Sequence, residues 1–491
     1  MRKAAAVPGF RALARLAPAC ALSLVVLATP AAAPAASPGA LTQLASPSSC
    51  ITDTSPVSAK ICPTRGNGLN GAIDAVVSPD GRFVYVASMT GSDVAVFSRN
   101  TTTGALSQGA TNYCIKDRTA APSTTNCPVA GTALNSAIAL ALSPDGKNLY
   151  VASFYSNAVA EFARDATTGA LTQLPGAGAC IRDVDQSFST TPCTLSARGL
   201  HTARSIAVSP DGKNVYVAAQ NSNALATLVR DPTTGILSQP STVTNCIDNV
   251  IQYPSPGCAA HGIGIDGPRS VTVAPDGKTV YSSALVGDSV AAFGRNTTTG
   301  SLTQLSGAAA CTKGNGAPAT TKCTTVGIGL DGAFSVTVSP DSKSVYVASI
   351  NSNDVAVFSR NTTTGQVTQL AGAAACIQGE SGNVACPTRG NGLNGATVPA
   401  VSPDGKNVYV AGFNANAIAS FTRNTTTGAL TQLASPDNCA KDPWAPSSTV
   451  CPVTKLGLYF ARSVVVSPDN KNAYVPASVG NSISAWSRQI P

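Results

Sequence analysis

Short stretches of apolar residues, or of alternating apolar and polar residues, recur along the chain and are separated by turn residues. In one unit, apolar residues 75–77 precede a Ser-Pro-Asp-Gly turn, and an alternating segment follows at 83–87. A third segment at 93–97 and an Asn-Thr-Thr-Thr-Gly turn lead to a fourth at 105–108. Proline presets φ in such turns and glycine takes positive φ. The pattern predicts four antiparallel strands per unit and no substantial amphipathic helix.

The unit recurs seven times at intervals of 63 to 66 residues, counted between the aspartates of the Pro-Asp turns. These are Asp80, Asp145, Asp211, Asp276, Asp341, Asp404 and Asp469. Seven four-stranded units predict an all-β fold, a seven-bladed β-propeller of antiparallel blades. The last unit stops after its third strand at Arg488, and residues 39–47 nearly duplicate the fourth strand at 428–436. We therefore expect the N-terminal strand to complete the last blade and close the ring, which removes exposed strand edges.

The N-terminus has the organisation of a secretory signal. Basic residues through Arg15 precede an apolar run at 19–28 and small residues at 29–36. The run is too short to span a bilayer. The sequence predicts a cleaved signal peptide over 1–36 and a single propeller domain over 37–491, with an uncleaved N-terminal anchor as the alternative. The alanine-rich signal is typical of a bacterial, secreted protein.

Charge and composition restrict the partners. Charged residues make up 11% of the chain, and four of the positive charges behind the formal net charge of +8 lie in the first fifteen residues. No cluster of lysine and arginine appears, so nucleic acid is not expected as a partner. We expect a monomer with no membrane span after signal cleavage.

The cysteines are the second periodic feature. Without Cys20, fourteen remain, two in each segment between a fourth strand and the next first strand. An even count behind a signal peptide predicts seven local disulfides. The predicted pairs are Cys50–Cys62, Cys114–Cys127, Cys180–Cys193, Cys246–Cys258, Cys311–Cys323, Cys376–Cys386 and Cys439–Cys451. A metal site is disfavoured, because the cysteine spacing is wrong and the chain has two histidines.

These cysteine-containing segments account for most of the length of each unit beyond an ordinary blade. A propeller blade needs about 40–50 residues. In a meander, the seven loops share one face, around the mouth of the central channel. Long loops on a rigid scaffold are where binding usually occurs, so this face is the predicted functional face.

The repeat provides an internal control, because a residue present in every unit is architectural. By this test the turn aspartates are structural, and we expect them to pair with the arginines that end the third strands. The second-strand tyrosines, Tyr85 through Tyr474, are predicted to be packing residues. A polar residue that breaks the repeat is the better functional candidate.

One variable position precedes each first strand, as the fifth residue of a Gly-x-Gly-x-x-Gly-like pattern. Its seven occupants are Asn70, Asn135, His201, Asp266, Asp331, Asn394 and Tyr459. They form either Asx-type turns or a ring of oxygen ligands for Ca²⁺ or a polar ligand. No other cofactor is expected.

Arginines break the apolar column three residues further on. Arg204, Arg269 and Arg462 stand where other units have Ile, Phe or Thr. Together with His201 they would suit an anionic small molecule at the channel mouth. They could also polarise a carbonyl, with His201 as general base. The alternative is structural: the arginines bind loop carbonyls or pair with Asp266 and Asp331.

Glu161 is a further break in the repeat. The other units carry Val, Thr, Ala or Ser at this third-strand position. We interpret Glu161 as a lone surface carboxylate, because glutamate is seldom fully buried.

Segments such as 209–218, with the sequence Ser-Pro-Asp-Gly-Lys-Asn-Val-Tyr-Val-Ala, resemble the lactonase-like seven-bladed propellers. These include 6-phosphogluconolactonase-like and carboxymuconate-cyclase-like proteins and the related YVTN-repeat surface-layer propellers. The resemblance covers all seven units. It implies a channel-mouth site using His, Arg and Glu on a lactone or related anionic carboxylate. The chain departs from that set, since residues 200–204 alone approach a histidine-containing strand start and two glutamates follow the signal.

The sequence leaves two functional hypotheses and a third role. The favoured one is a secreted binding or interaction scaffold for an extracellular or cell-surface ligand. The alternative is a lactonase-type hydrolase or cyclase with His201 as base and the three arginines as clamps. A structural role in the cell envelope is the third. No nucleophile motif such as Gly-x-Ser-x-Gly is present.

Overall fold

The computed structural model describes residues 36–54, 62–119, 126–185, 191–239, 245–249, 257–258, 260–382 and 386–490. The predicted signal peptide, residues 1–36, lies outside them except for its last residue. The described residues form seven sheets of six strands each, arranged as a seven-bladed β-propeller. Among these residues no helix is long and apolar enough to cross a membrane.

We name the strands of each blade A to F, with A nearest the channel, and number the blades by their Pro-Asp turns. The inner strands A are Ala72–Val77, Ala137–Leu142, Ala203–Val208, Pro268–Val273, Ala333–Val338, Ala396–Val401 and Val465–Val466. Strands B are Phe83–Ser88, Asn148–Ser153, Asn214–Ala219, Thr279–Ala284, Ser344–Ser349, Asn407–Gly412 and Asn472–Ala477. Strands C are Asp93–Arg99, Ala158–Arg164, Ala224–Arg230, Ser289–Arg295, Asp354–Arg360, Ala417–Arg423 and Ser482–Arg488.

The outer strands follow the same order from blade 1 to blade 7. Strands D are Leu106–Ser107, Leu171–Gln173, Leu237–Ser238, Leu302–Gln304, Val367–Gln369, Leu430–Gln432 and, for blade 7, Leu41–Gln43. Strands E are Cys114–Asp117, Cys180–Asp183, Cys246–Asn249, Cys311–Gly314, Cys376–Gln378, Cys439–Lys441 and, for blade 7, Cys50–Asp53. Strands F are Val129–Gly131, Leu195–Ala197, Ala260–Gly262, Thr325–Gly327, Thr388–Arg389, Val453–Thr454 and, for blade 7, Thr64–Gly66.

Each blade therefore has two more strands than the four that the sequence predicts. Strands D and E pair with opposite halves of strand C, and strand F runs parallel to strand E. Both additional strands lie in the cysteine-containing segment. The seven predicted disulfides are confirmed, with Cα–Cα distances of 5.1 to 5.4 Å. Each disulfide joins the first residue of strand E to a cysteine just before strand F, which holds these two short strands together.

Closure of the ring by the N-terminal segment is confirmed. Leu41–Gln43 and Cys50–Asp53 both pair antiparallel with Ser482–Arg488, the strand C of blade 7. The backbone N–H of Gly39 donates to the carbonyl of Gln489 at 2.7 Å. In blade 1 the equivalent bond joins Gly104 to Asn100 at the same distance, so the two chain segments reproduce the covalent turn of the other blades.

A repeated polar contact joins the blades on the face of the Pro-Asp turns. The arginine that ends strand C pairs with the turn aspartate of the preceding blade at 2.5 to 3.0 Å, in seven pairs, as predicted. The same guanidinium donates to the strand B tyrosine of the preceding blade. In blades 5 and 6, Arg423 Nε donates to the hydroxyl of Tyr346, which donates to the carbonyl of Gly428. The tyrosines therefore bond across blades as well as pack.

A second ring of contacts joins the blades on the opposite face. The residue before each strand C has positive φ, between 46° and 60°. Its side-chain oxygen accepts from a backbone N–H just before strand A of the next blade at 2.6 to 3.0 Å. Asparagine occupies five of these seven positions, in keeping with its tolerance of this backbone conformation. Both ends of strand A are therefore positioned by polar contacts between blades.

Replacing Tyr346 by phenylalanine should destabilise the propeller. The hydroxyl is buried, and its loss leaves the Gly428 carbonyl and Arg423 Nε without this partner. We expect a loss of about 1–3 kcal/mol in the free energy of unfolding, measured by urea denaturation of the oxidised protein. The matched control is Tyr113→Phe, whose hydroxyl donates to the Asn126 carbonyl at an exposed position. Equal losses in the two variants would contradict the assigned role of the inter-blade contact.

Candidate functional site: an arginine-lined cavity in the central channel

A cavity of about 270 Å³ lies in the central channel. Strands A and their immediate flanks from all seven blades contribute to its wall. Three arginines break the mostly apolar and hydroxyl-bearing lining: Arg204 of blade 3, Arg269 of blade 4 and Arg462 of blade 7. The structure therefore brings together the three arginines that the sequence singles out.

The arginines occupy an irregular position in strand A. The pairing of strands A and B shifts register between Ala203 and Ser205 and between Pro268 and Ser270. Arg204 and Arg269 are thus the extra residues of β-bulges, which redirect a side chain relative to a regular strand. In blade 7, regular pairing begins later, at Val465.

The irregular start of blade 7 has a local cause. Proline at position 476 of strand B has no N–H to donate to the neighbouring strand. Its carbonyl still accepts from the backbone N–H of Arg462 at 3.0 Å. The short strand A of this blade leaves Arg462 in an irregular segment at the cavity wall.

Each guanidinium lies over an aromatic ring. The distances from Cζ to the ring centroid are 4.1 Å for Arg204 over Phe154 and 4.1 Å for Arg269 over Phe334. The third pair is Arg462 over Phe413, at 4.0 Å. Such contacts fix the plane of a guanidinium without using its N–H donors. The donors are left to meet other groups.

The arginines have few polar partners for their degree of burial. Arg204 Nε donates to Gln220 Oε1 at 2.7 Å. Arg462 Nε is buried and finds no hydrogen-bond acceptor in the described part of the chain. Within the described ranges, none of the three pairs with a carboxylate, so the predicted alternative of pairing with Asp266 and Asp331 is not observed.

The three charges lie close enough to act on one another. Burial, followed by the charges of Arg204 and Arg462, lowers the pKa of Arg269 well below its usual value. Burial also lowers the pKa of Arg204 and of Arg462 to about 10. Arginine stays protonated at neutral pH, so the cavity wall carries concentrated positive charge.

Asp74 lines the same cavity and is absent from the sequence-based candidates. It is the third residue of strand A in blade 1, and its Oδ2 accepts from the backbone N–H of Leu140 at 2.9 Å. Burial raises the pKa of Asp74 to about 6, although backbone hydrogen bonds from Leu140 and Ala75 oppose the shift. Comparison of the repeats identifies Asp74 as a candidate, because the other blades have Ala, Ser or Val at this position.

His201 does not line the cavity. It lies in the turn before strand A of blade 3, where its backbone N–H donates to Ser222 Oγ at 3.0 Å. Its carbonyl accepts from the backbone N–H of Ser222 at 3.3 Å. The sequence groups His201 with the three arginines, but in the structure His201 lies outside the cavity that the arginines line.

The other six residues of the variable position lie in the same turn of their blades, outside the cavity lining. Their backbone carbonyls accept from the loop between strands B and C at 2.8 to 3.3 Å. These residues are Asn70, Asn135, Asp266, Asp331, Asn394 and Tyr459. The shared backbone bond supports the turn interpretation. Ca²⁺ binding stays a prediction; among the described residues no group of three or more His, Cys, Asp or Glu could hold a metal ion.

The interpretation of Glu161 as a surface carboxylate is wrong. Glu161 is fully buried in strand C of blade 2, where its Oε2 accepts from the backbone N–H of Leu237 in blade 3 at 2.8 Å. Both faces of the middle strands are covered by neighbouring blades, so this position has no access to solvent. Burial raises the pKa of Glu161 to about 9.

The fold and this cavity define a seven-bladed β-propeller with a cationic central channel. Residues 70–176 match the family model described as lactonase, seven-bladed β-propeller. Over these residues the chain is similar to the lactonase-like seven-bladed propellers, which confirms the resemblance predicted from the Ser-Pro-Asp-Gly units. A search of the curated proteins gives no match.

Several solved structures are similar to this chain. The periplasmic gluconolactonase of Pseudomonas aeruginosa has 19% identity and a TM-score of 0.49, covering 74% of this chain and 84% of its own. A candidate 6-phosphogluconolactonase from Bacteroides fragilis has 19% identity and a TM-score of 0.49, covering 78% and 84%. At these values the similarity does not carry an activity to this chain.

Replacing Glu161 by valine, the residue of blades 1 and 5, should remove a loss of stability that develops as pH rises. The folded-state pKa of Glu161 lies above the usual glutamate value of 4.5, so the stability contributed by the protonated carboxyl is lost as pH rises from about 4.5 towards 9. At pH about 8.5 we expect the variant to exceed the wild type by about 1–3 kcal/mol in urea denaturation, since Oε1 has no partner among the described residues.

The control for this comparison is Asp165→Asn, a change at an exposed turn where four other blades carry asparagine. It should leave the loss of stability towards pH about 9 unchanged. A Glu161→Val protein that loses stability with pH as steeply as the wild type would show that Glu161 does not titrate as assigned.

Proposed function

We propose that this protein is a binding scaffold for a small, multiply charged anion, held in the central cavity by Arg204, Arg269 and Arg462. The observation that supports it is the convergence of three arginines in one cavity without a carboxylate partner among the described residues. Buried charges are ordinarily paired, because an unpaired charge is costly to desolvate. An anionic ligand would supply the missing partner.

The chemistry of arginine favours carboxylate, sulfate or phosphate groups. A guanidinium presents planar pairs of N–H donors that match such groups in a bidentate arrangement. The volume of about 270 Å³ is near the lower end of small-molecule sites. Two acidic groups on a short carbon frame would allow one ligand to meet more than one arginine.

We further propose that the protein acts outside the cell, as a monomer at or beyond the cell surface. Seven disulfides support this placement, because such bonds persist in oxidising compartments. The predicted ligand is then an extracellular or cell-surface one. The disulfides join strands E and F, which lie at the far end of each sheet from strand A.

Multivalent anions should stabilise the wild type, and Arg269→Gln should abolish the effect. Ligand at one hundred times its dissociation constant would add about 2.7 kcal/mol to the free energy of unfolding. The measurement is thermal denaturation and calorimetry with succinate, tricarballylate, sulfate and ethane-1,2-disulfonate. Without ligand, Arg269→Gln should be at least as stable as the wild type, because one of three repelling charges is gone.

Arg82→Gln provides the control, since Arg82 is exposed on the face of the Pro-Asp turns. It should bind anions as the wild type does. Failure of every anion to bind the wild type, or equal binding by Arg269→Gln, would refute the proposed function.

A lactonase-type reaction in the same cavity is the second candidate, supported by the match of residues 70–176 to the lactonase propeller model. If it operates, the arginines would polarise the lactone carbonyl. The position of His201 outside the cavity lining argues against its predicted role as the base.

Hydrolysis of a panel of lactones by the oxidised protein tests this candidate. We expect any turnover to fall at least about a hundredfold in Arg269→Gln, the usual effect of removing one oxyanion-stabilising donor. His201→Ala should retain activity. Turnover that is lost in His201→Ala and kept in Arg269→Gln would place the chemistry elsewhere.

A further inference from the structure

We propose that Asp74 couples anion binding to proton uptake, so that the cavity takes up a proton together with a multiply charged anion. The inference rests on the proposed function, since it concerns the same cavity. It assigns to Asp74 the control of the pH range over which the scaffold holds its ligand.

Asp74 lies in the cavity wall without an arginine partner among the described residues. Its carboxylate shares the cavity with three guanidiniums, and it pairs with none of them within the described residues. Its Oδ2 is held by the backbone N–H of Leu140, the neighbouring blade's residue. This hydrogen bond holds the carboxylate against blade 2.

The ionisable groups that face Asp74 are few. Among the described residues that line the cavity, they are Arg204, Arg269 and Arg462. The remaining lining side chains are apolar or carry hydroxyl groups. The burial that raises the pKa of Asp74 to about 6 is therefore opposed by no close cation.

The ionisation of Asp74 sets the net charge of the cavity wall. With Asp74 ionised, the wall has three positive charges and one negative charge. An incoming anion then meets a carboxylate in a space of about 270 Å³, and like charges at short distance disfavour ionisation. Protonation removes this repulsion and turns the carboxyl into a donor that can bond the ligand. Because linkage is reciprocal, a ligand that favours protonated Asp74 must bind more tightly as pH falls.

The repeat supplies a substitution that should preserve the fold. Serine stands at this position in blades 3, 4, 5 and 7. Ser205 Oγ accepts from the backbone N–H of Val271 at 3.1 Å, as Asp74 accepts from Leu140. Asp74→Ser therefore keeps the inter-blade hydrogen bond while removing the titratable group.

The test is calorimetric binding of ethane-1,2-disulfonate, whose charge does not change over the range used. For the wild type, we expect the dissociation constant to fall about tenfold between pH about 7.5 and pH about 5, the effect of one pK unit of coupling. For Asp74→Ser we expect a change of less than about twofold. Proton uptake, measured from the dependence of the binding heat on buffer ionisation, should be present in the wild type and absent in the variant.

Glu161→Gln is the matched control, because it removes another buried carboxyl with a raised pKa that lies outside the cavity lining. It should keep the full pH dependence of binding. Binding that is equally pH-dependent in wild type and Asp74→Ser would overturn the role of Asp74 and leave the anion site intact. Absence of disulfonate binding at both pH values would overturn the inference, and absence of binding for every anion tested would overturn the proposed function as well.

Discussion

The contact between each strand C arginine and the tyrosine and aspartate of the preceding blade is the interaction on which the rest of the structure depends. A ring of seven blades is stable only if every blade meets a neighbour on both sides. At the junction of the two chain ends, Tyr409 donates to the carbonyl of Gly39 and Arg488 pairs with Asp404. The N-terminal segment thus enters the same contact that joins the other blades.

This closed frame explains how three like charges are kept together in the channel. Contacts on both faces of the ring hold the ends of strand A, so the strands cannot move apart to relieve the repulsion among the arginines. Phe154, Phe334 and Phe413 lie under the guanidiniums and limit their rotation. The arginines are therefore preorganised: their mutual repulsion is sustained by the stability of the whole ring, and the anion of the proposed function would relieve it.

The repeat predicts the architecture well because the same interactions are made seven times. Asp80, Tyr85 and their counterparts recur at a nearly constant interval. A residue that recurs in every blade has the same structural role in each. The sequence does not predict strands E and F, because they are short and lie in the variable cysteine-containing segments. It does predict the column of Arg204, Arg269 and Arg462, because these residues break an apolar pattern.

The other features of the cavity depend on three-dimensional contacts, which a local sequence pattern does not predict. The bulge at Arg204 can be predicted only if the register of strands A and B is known. The stacking of Phe154 on Arg204 can be predicted only if the distance between these two side chains is known. His201 is near Arg204 in sequence, yet the turn separates it from the cavity lining. Proximity along the chain is a poor guide here, because His201 lies in the turn before strand A and Arg204 lies in the strand.

Glu161 and Asp74 show that a residue which breaks a repeat can be interpreted only when its position in the structure is known. Both are acidic residues at positions that are uncharged in the other blades, and burial raises the pKa of both. Glu161 lies between blades, bonded to the backbone of Leu237, where no ligand can reach it. Asp74 lies in the cavity wall with the arginines, where a change of its charge acts directly on whatever the cavity holds. An acid introduced into the repeat therefore costs stability at one place, and at the other it would control binding under the function proposed above.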